Sequence, residues 1–221
     1  FLPLLMRRRE PANAPVRLPG RPPGEASSRP VAVRGWRLAA VLVAVVTASP
    51  LGAQTLLTQE EALDLAFPAP VTVERRTAYL TDQQLTRARE LAGDGVEVES
   101  GIVTYYVGTR DGEPTGVAYF DAHRVRTKNE VVMVVVDPDA RLRRVDVVKF
   151  TEPPEYRAPD GWIDQLEGRR LDDELSTRGA IRNLTGATLT ARAMTEATRR
   201  VLALHAVVAP FGDGPAMAGP T

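Results

Sequence analysis

The sequence predicts an α+β domain, a single antiparallel sheet flanked by helices. Three observations predict it. Four β-branched or aromatic runs follow one another between Ile102 and Phe150, turn sequences join them, and segments of helical spacing stand before and after. At 221 residues with 43% hydrophobic side chains, the chain has material for one domain with a real core.

The first 53 residues read differently from the rest. They carry a net charge of +6 and the remainder −6, which together give the formal zero. A mildly acidic folded part lacks the clustered cations that sequence-independent nucleic-acid binding needs, so no nucleic-acid partner is expected. The chain has no cysteine, which excludes disulfides, thiolate nucleophiles, iron–sulfur clusters and cysteine zinc sites. Two histidines, His123 and His205, leave little for any other metal site, and none is expected.

Arg34-Gly-Trp-Arg37, the apolar run Leu38–Val46 and the exit Thr-Ala-Ser-Pro-Leu-Gly-Ala53 follow the order of a secretory signal. The run is about half of the roughly 20 residues that span a bilayer, and Pro50 breaks it. The expectation is an exported protein, periplasmic or on the outer face of the inner membrane, cut after Ala53. Residues 1–33 are rich in Pro, Arg and Gly without periodicity and are expected to be disordered, an upstream extension of a chain starting near Val31 or Val33. The resulting division is a leader over 1–53, a helical segment over 54–100, a domain over 101–208 and a loose, Gly/Pro-rich tail over 209–221.

Thr58-Gln-Glu-Glu61 is a capping box, and Ala62, Leu63, Leu65 and Ala66 continue it as a short helix that Pro68 and Pro70 stop. Thr81 and Gln84 repeat the signal, with Leu85, Ala88 and Leu91 on one face and Gly93 at the C-terminal end. The period then changes. Ile102–Val107, Val117–Phe120, Val131–Val136 and Leu142–Phe150 read as strands, with Arg110-Asp-Gly-Glu113 and Asp137-Pro-Asp-Ala140 as turns of a meander. Val131–Val136 is apolar on both faces and belongs in the middle of the sheet. A Pro-rich loop, Glu152–Pro159, leads to a helical turn with Trp162, Ile163 and Leu166. A last helix is expected from about Thr190 to Val207, with Met194, Ala197, Val201 and Leu204 at helical spacing.

Chemistry concentrates in Ile181-Arg-Asn-Leu-Thr-Gly-Ala-Thr-Leu-Thr190. Three hydroxyls, of Thr185, Thr188 and Thr190, surround the uncrowded pair Gly186-Ala187 just before a helix N-terminus, where free N–H groups and the helix dipole favour a phosphate. A plain helix cap is the alternative that these residue types alone leave open.

Thr185-Gly-Ala-Thr-Leu-Thr190 resembles the attachment motif of the bacterial FMN-binding domain family, which includes flavin subunits of the sodium-translocating NADH:quinone reductase and of Rnf complexes. In that family a secreted flavin transferase uses FAD and Mg²⁺ to join FMN, through its phosphate, to the last Thr of a Ser/Thr-Gly-Ala-Thr sequence. The resemblance therefore implies FMN as cofactor and Thr188 as its covalent attachment point, with Thr185, Gly186, Ala187, Leu189 and Thr190 around it. The strand ending at Phe150, the loop opening Glu152-Pro153 and the turn Trp162–Gly168 are similar to the family's Glu-Thr-Pro loop and the turn that follows it, with Leu166 in the aromatic place. The similarity runs from about Gly101 to His205, and the helical region before Gly101 lies outside it. It adds Glu152, Pro153, Tyr156 and Lys128 as candidate cofactor residues. Two positions depart from the pattern: Arg182 stands where the family has an acidic residue six before the acceptor, and Pro154-Glu155-Tyr156 replaces Gly-Leu-Gly. These departures keep non-covalent FMN as an alternative.

Between strands, Asp121–Glu130 reads as a charged connection, a solvated hairpin loop or one that offers His123, Arg124 or Lys128 to the flavin. No Ser, Cys or Asp arrangement makes a triad around His123. His205 falls on the apolar side of the last helix and is expected in the core. Tyr156 and Trp162 either shield a flavin ring or pack. The function expected is an exported, membrane-associated flavoprotein, modified through a phosphate, that relays electrons to or from a redox partner protein. It is matured by a flavin transferase and is an electron carrier rather than a stand-alone enzyme. A secreted flavin-dependent reductase and a cofactor-free binding module are the rivals.

Overall fold

The computed structural model describes residues 54–212, and the expected leader, signal and final tail residues 213–221 lie outside them. Six strands form one antiparallel sheet in the order β1-β6-β5-β4-β3-β2. They are β1 (Gln54–Thr55), β2 (Thr72–Tyr79), β3 (Ile102–Arg110), β4 (Glu113–Arg124), β5 (Asn129–Val136) and β6 (Leu142–Phe150). Helices α1 (Gln59–Ala66), α2 (Asp82–Ala92), α3 (Asp160–Ile163) and α4 (Thr188–Val208) complete the α+β architecture. Among the described residues no helix is long and apolar enough to cross a membrane.

The alternation of side chains along a strand decides which helix each face meets. On β5, Val132, Val134 and Val136 join the large core under α4, while Met133 and Val135 face α1 with Ala62, Ala66 and Phe67. A strand buried on both faces must be apolar on both, which is the pattern of Val131–Val136. Helix α4 lays Ala191, Met194, Ala197, Val201 and Leu202 onto the sheet, and Ala88 and Ala92 of α2 pack against its Ala203. Both expected capping boxes form, Thr58 with Glu61 and Thr81 with Gln84.

Three elements differ from expectation. Strand β2 joins the sheet along its whole length against β3, so the segment over 54–100 is not only helical and its sheet is continuous with that of the following domain. Its sequence, Thr-Val-Glu-Arg-Arg-Thr-Ala-Tyr, is exposed at every position but Ala78. An edge strand with solvent on both faces has no reason to alternate, and its charges discourage pairing with another chain. Strand β4 runs to Arg124 and β5 starts at Asn129, which shrinks the expected charged connection to Val125–Lys128. The tail expected to be loose from residue 209 begins packed: Phe211 meets the His205 ring edge-on at 6.0 Å.

Between Gly168 and α4 lies an irregular segment anchored by the fully buried Leu175 and by Ile181. Arg199 ties it down, its guanidinium donating to the carbonyls of Asp172, Leu175 and Ala92 and so joining this segment, α2 and α4.

Two predictions follow from the core. At Gly108 an added Cβ would stand 2.5 Å from Phe67 Cε1 and 2.9 Å from Thr115 Oγ1. Gly108→Ala is expected to cost about 1–3 kcal/mol of stability by denaturant unfolding. His205 is buried with its Nδ1 hydrogen-bonded to the Tyr119 hydroxyl at 3.0 Å, and burial pushes its imidazolium down to about 4. Its unfolded value is near 6.5, so the unfolded chain binds the proton first. The stability from neutral His205 is complete above about pH 6.5 and is lost as pH falls toward about 4, by roughly 3 kcal/mol in all. His205→Leu, less stable at pH 7, is expected to lose that share of the pH dependence, as urea midpoints between pH 7 and 4 will show.

Candidate functional site

The segment Arg182–Thr190 enters α4 through a tight turn. Gly186 sits at φ 85°, a left-handed conformation that glycine adopts without strain, and Ala187 is the N-cap residue with no side-chain cap bond. The threonines are therefore not spent on capping. Thr188 is the first helical residue, exposed, and its hydroxyl donates to the Leu184 carbonyl at 3.2 Å. Its oxygen keeps free lone pairs on the solvent side, and the uncapped first turn leaves backbone N–H groups without intrahelical partners. Thr185 and Leu189 are also exposed, whereas Thr190 is buried and donates to the Tyr156 carbonyl at 2.6 Å.

That last bond connects the turn to two loops. Pro154–Tyr156 forms a 3₁₀ turn, and two residues before it the Glu152 carboxylate accepts from the backbone N–H of Thr127 at 2.6 Å and of Lys128 at 2.8 Å. The Thr127 amide is the strongest of the donors that hold the Glu152 carboxyl below the usual carboxylate range. Arg126 lies over the Tyr156 ring, 4.3 Å from its centre. Hydrogen bonds thus link the Lys128 backbone to Glu152 and the Tyr156 carbonyl to Thr190, bringing segments that the sequence scatters over about sixty residues against the turn that carries Thr188. The Lys128 and Glu152 contacts run through backbone, which explains why side-chain identity there carries little local signal.

Arg182 is clamped by its backbone. Its N–H donates to Gln165 Oε1 at 2.8 Å and its carbonyl accepts from Trp162 Nε1 at 2.6 Å, while its side chain is exposed. Trp162 is therefore a buried strut for the turn, and Leu166 behind it is fully buried. On the other side of Thr188 a cleft of about 480 Å³ is lined by Asn183 and by charges of both signs, Arg178, Arg192 and Arg199 with Asp94, Asp173 and Glu196, and Arg192 is paired with Glu196 at 2.6 Å. Arg192 was not singled out by sequence reasoning, although it stands four residues after Thr188 on the same helical face, a spacing that could have found it.

His123 corrects the expectation for the charged connection. It lies within β4 with its side chain 7% exposed, between Asp121 Oδ1 at 3.0 Å from Nδ1 and Glu130 Oε2 at 3.1 Å from Nε2. Arg200 of α4 grips both oxygens of Asp121 at 2.8 Å. An acidic arrangement around His123 thus exists after all, assembled by cross-strand pairing of His123 with Glu130 and by the approach of α4. Burial opposes charge on His123, but the two carboxylates outweigh it and raise its proton affinity. Burial likewise pushes the Asp121 carboxyl up, and Arg200 and His123 bring it below its ordinary value. So held, His123 does not reach the loop surface, where Arg124 and Lys128 are exposed.

Residues 127–203 match the family model described as FMN-binding domain. The match contains the turn, Thr188, Glu152, Tyr156 and Lys128. No curated protein and no solved structure matches the chain.

If Glu152 organises the loop, Glu152→Gln, which loses the charged acceptor, should speed amide exchange at Thr127 and Lys128 by about tenfold and cost roughly 1–2 kcal/mol. Because its folded-state carboxyl is held low, this contribution is present above the ordinary Glu value of about 4.3 and fades as pH falls below it. Exchange measured by NMR at pH 6 checks the first part, and unfolding between pH 6 and 3 the second.

Proposed function

We propose that this protein, which carries an FMN-binding domain and takes FMN as its cofactor, is an exported electron carrier with FMN joined through its phosphate to Thr188. The observation that carries the covalent part is the exposed Thr188 hydroxyl at the head of an uncapped 21-residue helix, after a glycine in the left-handed conformation. That geometry fits a phosphate through the orphan N–H groups and the helix dipole, while the adjoining cleft holds charges of both signs, with Arg192 already paired to Glu196.

In the attachment step a flavin transferase supplies FAD. The Thr188 oxygen attacks the FMN-side phosphorus, the pyrophosphate bond breaks, AMP leaves, and the hydroxyl proton is released. When bound, the flavin supplies reversible one- and two-electron transfer. The protein's own part is to hold the phosphate and to keep water from the inner side of the turn. Thr190, Tyr156 and Trp162 brace that side. Tethering suits export, because a cofactor that dissociates outside the cytoplasm is lost. A redox partner protein, in the membrane or beside it, would meet the flavin in a small transient interface.

The exposed Arg182 side chain has no structural task at its position, since only its backbone is engaged. Arg182→Asp is therefore expected to leave the fold intact and to raise the fraction of chain modified by a transferase, by restoring the family's acidic residue. Intact mass and absorption of chain exported with a flavin transferase give the test. Wild type should be yellow and heavier by one FMN residue, and Thr188→Ala unmodified in mass. A yellow but unmodified wild type would mean non-covalent FMN, and a colourless one would sink the carrier reading.

A further inference from the structure

Buried ionisable groups are costly unless paired, so each one asks what pairs it. Among the described residues, His205 has one hydrogen-bond partner, the Tyr119 hydroxyl, and gives up its proton readily, and Glu152 is fixed by backbone donors. His123 and Glu130 differ, because two proton-binding groups face each other at 3.1 Å with Glu130 fully buried. Two arrangements satisfy this geometry. In one an imidazolium donates to both carboxylates. In the other neutral His123 donates from Nδ1 to Asp121 and accepts at Nε2 from a protonated Glu130. Both hold the same number of protons and, with Arg200 and Asp121, both carry zero net charge.

The cluster borders a cavity on one side, and on the other it is joined through the chain and one hydrogen bond to the loop that holds Glu152. Asp121, His123 and Arg200 line a cavity of about 470 Å³ whose wall includes Glu97, Glu99 and Arg124, and the Arg200 guanidinium donates to the Glu97 carbonyl. Glu196, one turn earlier on α4 and outside this cavity, also acts electrostatically on Arg200. On the other side Glu130 follows Asn129, whose carbonyl accepts from the Thr151 hydroxyl at 2.5 Å, immediately before Glu152 and beside Lys128. Glu130 Oε1 is buried without a hydrogen-bond partner, an oxygen that no donor of the chain occupies.

We propose that His123 and Glu130 share one proton within this charge-balanced cluster, and that the cluster is the redox-linked proton site of the domain, taking up a second proton when electrons arrive on the flavin. The proposal rests on the flavin reading above. The electrons come from an external reductant, dithionite in the test. The proton comes from water through the cavity and forms an O–H bond on the Glu130 carboxylate; no other bond breaks. The cluster passes from zero to +1 and offsets the negative charge gained by the flavin.

Two measurements test it on the full chain. The first is ¹⁵N NMR of the ring nitrogens in flavin-free protein, tractable because the chain has two histidines. At pH 7, His123 Nε2 is expected to carry a whole or shared proton, which Glu130→Gln abolishes, while His205 keeps a single ring proton down to about pH 4. A His123 with an ordinary titration and a bare Nε2 at pH 7 overturns proton sharing. The second is the flavin midpoint potential against pH. Glu130→Gln is expected to remove one proton per electron pair from the slope, a tenfold change per pH unit or about 30 mV. Equal slopes in wild type and variant overturn the coupling even if the proton is shared. A chain that takes up no flavin overturns the functional reading and the coupling together, and the NMR result then still decides the shared proton.

Discussion

The apolar face of α4 on the sheet is the contact on which the rest depends. Ala191, Met194, Ala197, Val201 and Leu202 lie against strands whose inward side chains are mostly valine, with Tyr105, Tyr119, Leu142 and Phe150 among them. This packing fixes the helix along its length, and its two functional ends are fixed with it. At the N-terminus Thr190 reaches the Tyr156 carbonyl and leaves Thr188 outside. Further along, Arg200 meets Asp121 and His205 meets Tyr119, so the helix runs antiparallel to β4. At 1.5 Å per residue, Arg200 stands about 18 Å from Thr188. One rigid element thus carries both Thr188, the proposed attachment point, and the anchor of the buried charge cluster.

Burial decides how those charges behave. Burial lowers the proton affinity of both histidines; His205, with only a hydroxyl for a polar partner, stays low, whereas the two carboxylates facing His123 more than offset burial and raise it. Arg200 fixes the orientation of Asp121 by a two-pronged grip, which is geometrically specific in a way a lysine would not be. Removing one member of such a cluster leaves the others uncompensated, so its members act as a unit.

Much of this was legible in the residues. The capping boxes, the four strands of the meander and the apolar face of α4 follow from local pattern, because each is a local solution to burying apolar surface or satisfying backbone donors. The turn before α4 was legible through its Gly-Ala pair: Gly186 adopts φ 85° where the turn requires it. What escaped was set by tertiary pairing. Strand β2 has no alternation because both its faces meet solvent, and only β3 explains it. The His123 cluster draws on β4, β5 and α4, so a reading along the chain placed Asp121–Glu130 in a loop and missed that cross-strand register sets His123 opposite Glu130. Lys128 and Glu152 meet through backbone N–H groups, which no residue type announces.

The most direct test of the central claim is to locate the flavin within the sequence. Trypsin cuts after Arg182 and Arg192 and releases Asn183–Arg192, a peptide holding Thr185, Thr188 and Thr190 together. Fragmentation of that peptide from exported, transferase-matured protein should place the whole FMN mass on Thr188, the exposed hydroxyl, with Thr190 unmodified because it is buried against Tyr156. FMN on Thr185 or Thr190, or an unmodified peptide from yellow protein, would contradict the account.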